Sequence, residues 1–167
     1  MSETAAPDDD IKELTDRFGR AAAAYIRGDI REYLDLIPHT TDCSLMPPYG
    51  GEPQIVGNNP TDEQIEATSS FFHSGEAQLE VTQTLVSKDM VVLVAVERQH
   101  GEVGEFPDQD WSLRVTLVFV RQDGHWKLAH RHADALVRPI SMERVAELAR
   151  GADRPLLGEA QRARPPC

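Results

Sequence analysis

Two histidines and an aspartate alternate along a predicted β-strand near the carboxyl end of the chain. His130, His132 and Asp134 are spaced two residues apart, and such side chains share one face of a strand when no bulge intervenes. Histidine is the most economical general acid or base near neutrality, and a neighbouring carboxylate orients its ring. The row therefore predicts a proton-transfer site. The alternative is structural: hydrogen bonds to neighbouring strands, or contacts with a second subunit.

Two charged residues lie in strands that are otherwise apolar. Arg114 is surrounded by Leu, Val and Phe, and Glu97 lies in the preceding long strand. An arginine in such a strand must be paired or must face water in a cavity. We predict that Arg114 binds a substrate carboxylate, enolate or carbonyl, with Glu97 as its orienting partner or as a base. A structural ion pair between the strands is the alternative.

The same residues also permit a metal site. His130 and His132, with Glu97 or Asp134, would form a set of two histidines and one carboxylate. His-x-His is a weak signal by itself, and we expect no metal and no cofactor. The sequence also lacks a Gly-x-Ser-x-Gly motif, a phosphate-binding loop, a dinucleotide fingerprint and a Cys-x-x-Cys pair, which leaves nucleotide and serine-hydrolase chemistry unsupported.

Four residues are candidates for the walls of a substrate pocket. Trp111 begins a predicted strand beside a polar loop, and Tyr49 lies on a Pro- and Gly-containing loop that could cover a pocket mouth. Phe72 follows a helical pattern and Met46 ends a short strand, so packing in the wall or core explains both. We predict that all four line the binding site.

The elements that position these residues are predicted from hydrophobic periodicity and from capping signals. Helices are expected at 10–27, 30–37 and 61–75, the last with a Thr61 and Gln64 capping box, and after Pro139 with Ser141 as N-cap. Short extended segments are expected at 43–46 and 54–56. Long strands are expected at 77–87, 90–100, 111–121 and 125–137, with a loop at 101–110.

Helices followed by a long antiparallel sheet predict an α+β fold in which a strongly curved, cone-shaped sheet wraps around three helices of the amino-terminal half. A short helix follows at the carboxyl end. Strands 90–96 and 113–120 are apolar on both faces, so both faces of the sheet must be covered. One face packs on the helices, and we expect the other to form a homodimer interface.

Several motifs in this order resemble the SnoaL-like branch of the ketosteroid isomerase and nuclear transport factor 2-like superfamily. The motifs are Leu45–Gly51, Val96–Arg98, Leu113–Phe119, Asp123–His130 and His130–Asp134. Together with the helices they cover residues 10–137. Ketosteroid isomerase uses a carboxylate base, a neutral acid and a tyrosine, but no tyrosine lies on the expected inner strands here.

The resemblance implies an apolar pocket at the wide end of the cone and commonly a dimer. It also makes Asp42 a candidate, because some relatives place a catalytic carboxylate there; a solvated strand start is the alternative. Members include isomerases, dehydratases, polyketide cyclases, epoxide hydrolases and non-catalytic modules, so the fold does not fix the reaction. We predict a cofactor-independent acid–base enzyme for a carbonyl-containing metabolite, with a non-catalytic binding or assembly module as the alternative.

Length and charge limit the other possibilities. The chain has 167 residues and a formal net charge of −11, which disfavours nucleic acid as a partner. No run of about 18 apolar residues and no secretory signal are visible, so we expect a cytoplasmic protein without membrane contact. We expect a flexible acidic segment at 1–9, one SnoaL-like domain at 10–151 and a flexible tail at 152–167.

Overall fold

Four helices and seven strands make up residues 7–152, the part of the chain that the computed structural model describes. The helices are α1 (Asp8–Ile26), α2 (Ile30–Leu36), α3 (Asp62–Phe71) and α4 (Met142–Ala152). The strands are β1 (His39–Met46), β2 (Gln54–Ile55), β3 (Phe72–Val86), β4 (Met90–Val103), β5 (Phe106–Asp110), β6 (Leu113–Gln122) and β7 (His125–Ala135). None of the helices within these residues is long and apolar enough to cross a membrane.

Helix α1 packs its apolar stripe on the inner face of the sheet. Leu14, Phe18 and Ala21 recur at three- and four-residue spacing and are buried, which is the pattern of an amphipathic helix. The Phe18 ring meets the Phe119 ring of β6 edge-on, with centroids 5.8 Å apart. The helix therefore fixes the distance between the helical layer and the middle of the sheet.

The sheet has the strand order β2-β1-β7-β6-β4-β3, and β5 pairs with the end of β4 on the edge opposite β3. Its strands pair antiparallel except for β1 and β7, which run parallel. The sheet is therefore mixed, and the prediction of a wholly antiparallel sheet is wrong for this one pair. Strands so far apart in sequence are free of the hairpin constraint that enforces antiparallel pairing. The predicted α+β fold, a strongly curved sheet around the helices, is confirmed.

Two element boundaries differ from the prediction. Helix α3 ends at Phe71 and not at Gly75, because Phe72 already pairs with Val103 of β4. The expected loop 101–110 contains the end of β4 and all of β5. Every residue of β5 is exposed, so it carries none of the apolar alternation by which a strand is recognised in sequence.

The chain ends are described only in part. Asp8 and Asp9 begin α1 and Ala152 ends α4, while the rest of the predicted flexible segments, apart from Pro7, lies outside the described residues. The predicted carboxyl-terminal helix is present as α4, and the Ser141 hydroxyl accepts a hydrogen bond from the backbone N–H of Arg144.

The two faces of the central strands are covered to different degrees. In β4, Val91 and Leu93 point to the helices and are fully buried, whereas Val92 and Val94 on the opposite face are half-buried. This alternation defines an inner face toward the helices and an outer face away from them. The position of each candidate residue on one face or the other decides what it can contact.

Gly28, between α1 and α2, is the glycine whose replacement we expect to be most harmful. It has φ +84°, and an added Cβ would overlap the carbonyl oxygen of Phe72. We predict that Gly28→Ala lowers the free energy of unfolding by more than about 2 kcal/mol, since backbone strain and a steric clash combine.

Gly124 provides the matched control. It has φ +79° but nothing within 4 Å of an added Cβ, so Gly124→Ala should cost only about 1 kcal/mol from strain. Urea denaturation of both variants measures the difference. Equal losses in the free energy of unfolding for the two variants would contradict the close packing around Gly28.

Candidate functional site

A cavity of about 130 Å³ lies between helices α1 and α2 and the inner face of the sheet. Most of its wall is apolar, and it includes Phe18, Ile30, Leu45, Phe72 and Leu128. A dry protein cavity of about 150 Å³ binds benzene. The inner pocket is therefore large enough for about one six-membered ring.

A buried ion pair forms the polar end of the inner pocket. Arg131 of β7 donates from Nη2 to Oε2 of Glu97 of β4 at 2.7 Å. Glu97 is 2% exposed, and the Arg131 side chain is 18% exposed. Glu97 Oε1 is buried and has no hydrogen-bond partner among the described residues. One carboxylate oxygen is thus held by the guanidinium, while the other is buried without a hydrogen-bond partner among the described residues. Glu97 itself lines the cavity.

The electrostatics of the pocket favour a permanently charged arginine. Burial by itself lowers the pKa of Arg131, but attraction to the Glu97 carboxylate and the neighbouring Tyr33 raises it above its ordinary value overall. Burial also raises the pKa of Tyr33, against the opposing effect of the Arg131 charge. Tyr33 is therefore a neutral phenol near the ion pair, able to donate a hydrogen bond.

Tyr33 and His39 form a second polar group on the pocket wall. The Tyr33 hydroxyl lies 3.0 Å from Nε2 of His39, and both residues line the inner pocket. Burial lowers the pKa of His39, while a hydrogen bond to the Gly57 carbonyl opposes this shift. Burial thus favours the neutral form of the His39 imidazole.

The residues that sequence analysis placed in one catalytic group are divided between the two faces of the sheet. Glu97 faces the inner pocket, but Arg114 pairs in register with Val96 and so lies on the outer face. The expected pairing of Arg114 with Glu97 is therefore wrong. Arg114 Nη2 instead lies 3.3 Å from Asp134 Oδ2, and Arg131 takes the place that the prediction gave to Arg114.

The predicted row of His130, His132 and Asp134 exists, and it lies on the outer face. His132 Nε2 is 3.6 Å from Asp134 Oδ2, and His130 Nδ1 is 2.8 Å from the Ser44 hydroxyl of β1. None of the three lines the inner pocket. Their contacts match the structural alternative, and their catalytic role stays a prediction.

A β-bulge in β7 explains this placement. Phe119 pairs with Leu128 and Val118 pairs with His130, so Ala129 is an extra residue. Trp126 and Leu128 point inward before the bulge, and one extra residue reverses the parity of every later side chain. The bulge therefore turns Arg131 into the pocket and turns the histidines out.

The four predicted wall residues and the candidate Asp42, five residues in all, also have different positions. Phe72 lines the inner pocket, while Tyr49 is half-exposed on its loop. The indole N–H of Trp111 donates to the Gly101 carbonyl at 2.9 Å, and Met46 pairs in register with His132. Of the five residues, Phe72 alone is part of the described pocket wall.

Asp42, the fifth of these residues, is exposed and precedes the buried Cys43. Burial, with a smaller contribution from the Asp42 charge, raises the pKa of the Cys43 thiol to about 11. Cys43 lines the pocket, but a thiol with this pKa is protonated near neutrality and is a poor nucleophile.

No pattern in the sequence pointed to Arg131, Tyr33 or His39 as residues of the pocket. Arg131 lies between the two noted histidines, and only the bulge, which has no glycine to mark it, brings it inward. Tyr33 is buried on the inner face of α2, but a helical pattern does not reveal that its hydroxyl reaches His39. Among residues 7–152, no three His, Cys, Asp or Glu side chains are grouped closely enough to hold a metal ion.

The fold, a strongly curved α+β sheet packed on helices, is shared with solved structures named NTF2-like. The model of the SnoaL-like domain family matches residues 14–137, and the chain belongs to this family. None of the curated proteins compared with the chain matches it.

Solved structures with the same fold share little sequence with the chain. A protein from Streptomyces avermitilis, provisionally named a dehydratase of the NTF2-like family, is 19% identical with a TM-score of 0.57, covering 80% of this chain and 100% of its own. A protein from Novosphingobium aromaticivorans, provisionally named a scytalone dehydratase, is 16% identical with a TM-score of 0.58, covering 80% and 90%.

A third structure carries the name of an assembly module. It is provisionally named a calcium/calmodulin-dependent protein kinase II association domain, from Xanthomonas campestris. It is 19% identical with a TM-score of 0.57, covering 83% of this chain and 99% of its own. At these identities the likeness concerns the fold alone.

The buried ion pair leads to a prediction about stability. Arg131→Met leaves the Glu97 carboxylate buried without its partner, so we predict a loss of about 3–5 kcal/mol in the free energy of unfolding. Restoring neutrality with the double variant Glu97→Gln/Arg131→Met should recover part of that loss. Chemical denaturation measures all three proteins.

Arg98→Met is the matched control. Arg98 pairs with Glu80 at 2.9 Å, but both side chains are about half-exposed, so its removal should cost about 1 kcal/mol or less. Similar losses for the Arg98 and Arg131 variants would contradict a desolvated pair in the pocket.

Proposed function

We propose that the inner pocket binds a small carbonyl compound and that Glu97 is the general base that removes a proton from it. The observation that carries this proposal is the geometry of the carboxylate. Oε2 is fixed by Arg131 at 2.7 Å, and Oε1 is buried without a partner among the described residues. A carboxylate oriented by one oxygen and free at the other is suited to proton abstraction.

Arg131 and Tyr33 would stabilise the charge that this step creates. Removing a proton beside a carbonyl places negative charge on the carbonyl oxygen, and preorganised donors in a poorly solvated site stabilise it strongly. Arg131 carries a fixed positive charge, and Tyr33 is a neutral phenol close enough to interact with both charges of the ion pair. The role that sequence analysis gave to Arg114 thus passes to Arg131.

The proposed step balances without a cofactor. The α-carbon–hydrogen bond breaks, its proton moves to Glu97, and its electron pair forms an enolate. Return of the proton to another carbon gives an isomer. Loss of a β-hydroxyl group, which takes the α-proton back from Glu97, gives a dehydrated product and water and restores the carboxylate. Both outcomes belong to the isomerase and dehydratase chemistry expected from the sequence.

The size and lining of the pocket support a substrate of about one ring. The cavity holds about 130 Å³, and its wall away from Glu97 and Arg131 is mainly apolar. SnoaL-like folds commonly bind small molecules, and two proteins of the same fold are provisionally named dehydratases. These names agree with the proposal, although the pocket geometry is its basis.

Hydrogen–deuterium exchange at the α-carbon tests the proposal without knowledge of the natural substrate. Cyclohexanone, 2-cyclohexenone and acetophenone are incubated with the protein in D₂O and followed by proton NMR. We predict that the wild type accelerates exchange of at least one ketone. Glu97→Gln should reduce this acceleration by about 100-fold or more, because general-base catalysis contributes about 10²–10⁴.

Glu80→Gln serves as control, because Glu80 pairs with the exposed Arg98 and does not line the inner pocket. Its exchange rate should equal that of the wild type. Unchanged exchange in Glu97→Gln would exclude Glu97 as the base. Ketone binding with no exchange in the wild type would favour a non-catalytic binding protein.

The outer face supports a second candidate function, assembly. Val92, Val94, Val96 and Val118 are half-buried on this face, with Arg114 and the histidine row beside them. Apolar residues in the middle of a sheet face are typical of subunit interfaces. One protein of the same fold is provisionally named an association domain. Homodimerisation through this face would place His130, His132 and Arg114 at the interface.

A charge at the centre of this face tests assembly. We predict a dimer for the wild type and a monomer for Val94→Lys by size-exclusion chromatography with light scattering, because an unpaired buried charge disfavours the interface. Lys88→Gln, in the turn between β3 and β4, should leave the mass unchanged. A monomeric wild type would contradict the interface, and circular dichroism checks that each variant is folded.

A further inference from the structure

A second, more polar cavity adjoins the inner pocket. It has a volume of about 410 Å³ and is lined by residues from α2, α3, the segment between β2 and α3, and β7. Leu34, His39 and Pro60 line both cavities. We call the second cavity the outer groove; these shared residues lie where the two cavities adjoin.

The outer groove differs chemically from the inner pocket. Two cations, Arg31 and Lys127, and two side-chain amides, Asn58 and Asn59, line it beside a single carboxylate, Asp62. In a chain of net charge −11, a cavity wall with more cations than carboxylates is unusual. Such a wall attracts anions toward it and away from the acidic surface elsewhere.

The two cations are held in different ways. Arg31 is bound to Asp62, with Nη2 and Oδ1 2.9 Å apart. The Lys127 side chain is only 26% exposed, and its ammonium lies 3.9 Å from a carboxylate oxygen of Asp123, which is itself 91% exposed. That distance is too long for a hydrogen bond. Lys127 therefore keeps most of its hydrogen-bonding capacity for another anion.

We propose that the outer groove binds an anionic arm of the substrate, with Lys127 as its principal contact. The substrate is then a carbonyl compound of about one ring that carries a carboxylate or a phosphate a few bonds from the ring. The ring occupies the inner pocket, and the arm passes His39 to reach the groove. The position of the ring rests on the proposed function. The anion site rests only on the residues that line the outer groove.

The test uses three probes: 4-oxo-4-phenylbutanoate, its neutral amide 4-oxo-4-phenylbutanamide, and inorganic phosphate. Each is titrated into ¹⁵N-labelled protein, and backbone amide shifts are followed in the groove and near the ion pair. We expect both anions to shift Asn58, Asn59 and Lys127. The carboxylate should bind about three- to tenfold more tightly than the amide, and added salt should reduce this preference.

Lys127→Gln should abolish the preference for the carboxylate and leave amide binding unchanged. Lys88→Gln removes the same charge at a site that lines neither cavity and should keep the preference. Absence of anion-induced shifts in the groove, or an undiminished preference in Lys127→Gln, would overturn the anion site. Phosphate shifts without carboxylate shifts would assign the arm as a phosphate.

Failure of the proposed function gives a different result. In one outcome, no probe shifts the backbone amide resonances of Glu97 and Arg131, while the anions still shift those of the groove residues. The groove then binds anions, and the inner pocket does not bind the ring. If 4-oxo-4-phenylbutanamide shifts the backbone resonances of Glu97 and Arg131 while neither anion shifts those of the groove, the inner pocket is supported as the ring site. The proposal of an anionic arm is then wrong.

Discussion

The salt bridge between Glu97 and Arg131 is the interaction on which the organisation of the pocket depends. Each charge would be costly to bury alone, and each is tolerated on the inner face because the other is 2.7 Å away. The groups around the ion pair are consistent with a poorly solvated site. Tyr33 stays protonated beside it, and a mainly apolar wall limits the water that could screen it. The same arrangement leaves Oε1 of Glu97 without a hydrogen-bond partner among the described residues, which is the source of the proposed reactivity.

One extra residue in β7 separates the two surfaces of the protein. Before Ala129 the inward residues are Trp126 and Leu128, and after it they are Arg131 and Ala133. The bulge thus supplies the pocket with its cation and places His130 and His132 on the outer face with Arg114. The inner and outer faces can therefore change independently, because they carry side chains of opposite parity on the same strands.

The fold was predictable because its signals are local. The apolar stripe of α1, the capping box of α3 and the long apolar strands each identify an element within about twenty residues, and the motifs from Leu45 to Asp134 identify the family. The site was predictable only in part. Glu97 and Phe72, both singled out from the sequence, line the inner pocket. The inward position of Arg131 depends on a bulge that no glycine marks, and the Tyr33–His39 contact joins two elements through a tertiary hydrogen bond. β5 was missed because its residues are all exposed.

A crystal structure of the protein soaked with 4-oxo-4-phenylbutanamide tests the central claim most directly. The account predicts the ring in the inner pocket, the ketone oxygen near Arg131 or Tyr33, and an α-carbon facing Oε1 of Glu97 at about 3–3.5 Å, the separation of a near-attack geometry. A ligand bound on the outer face, or Oε1 engaged by a protein donor, would contradict it.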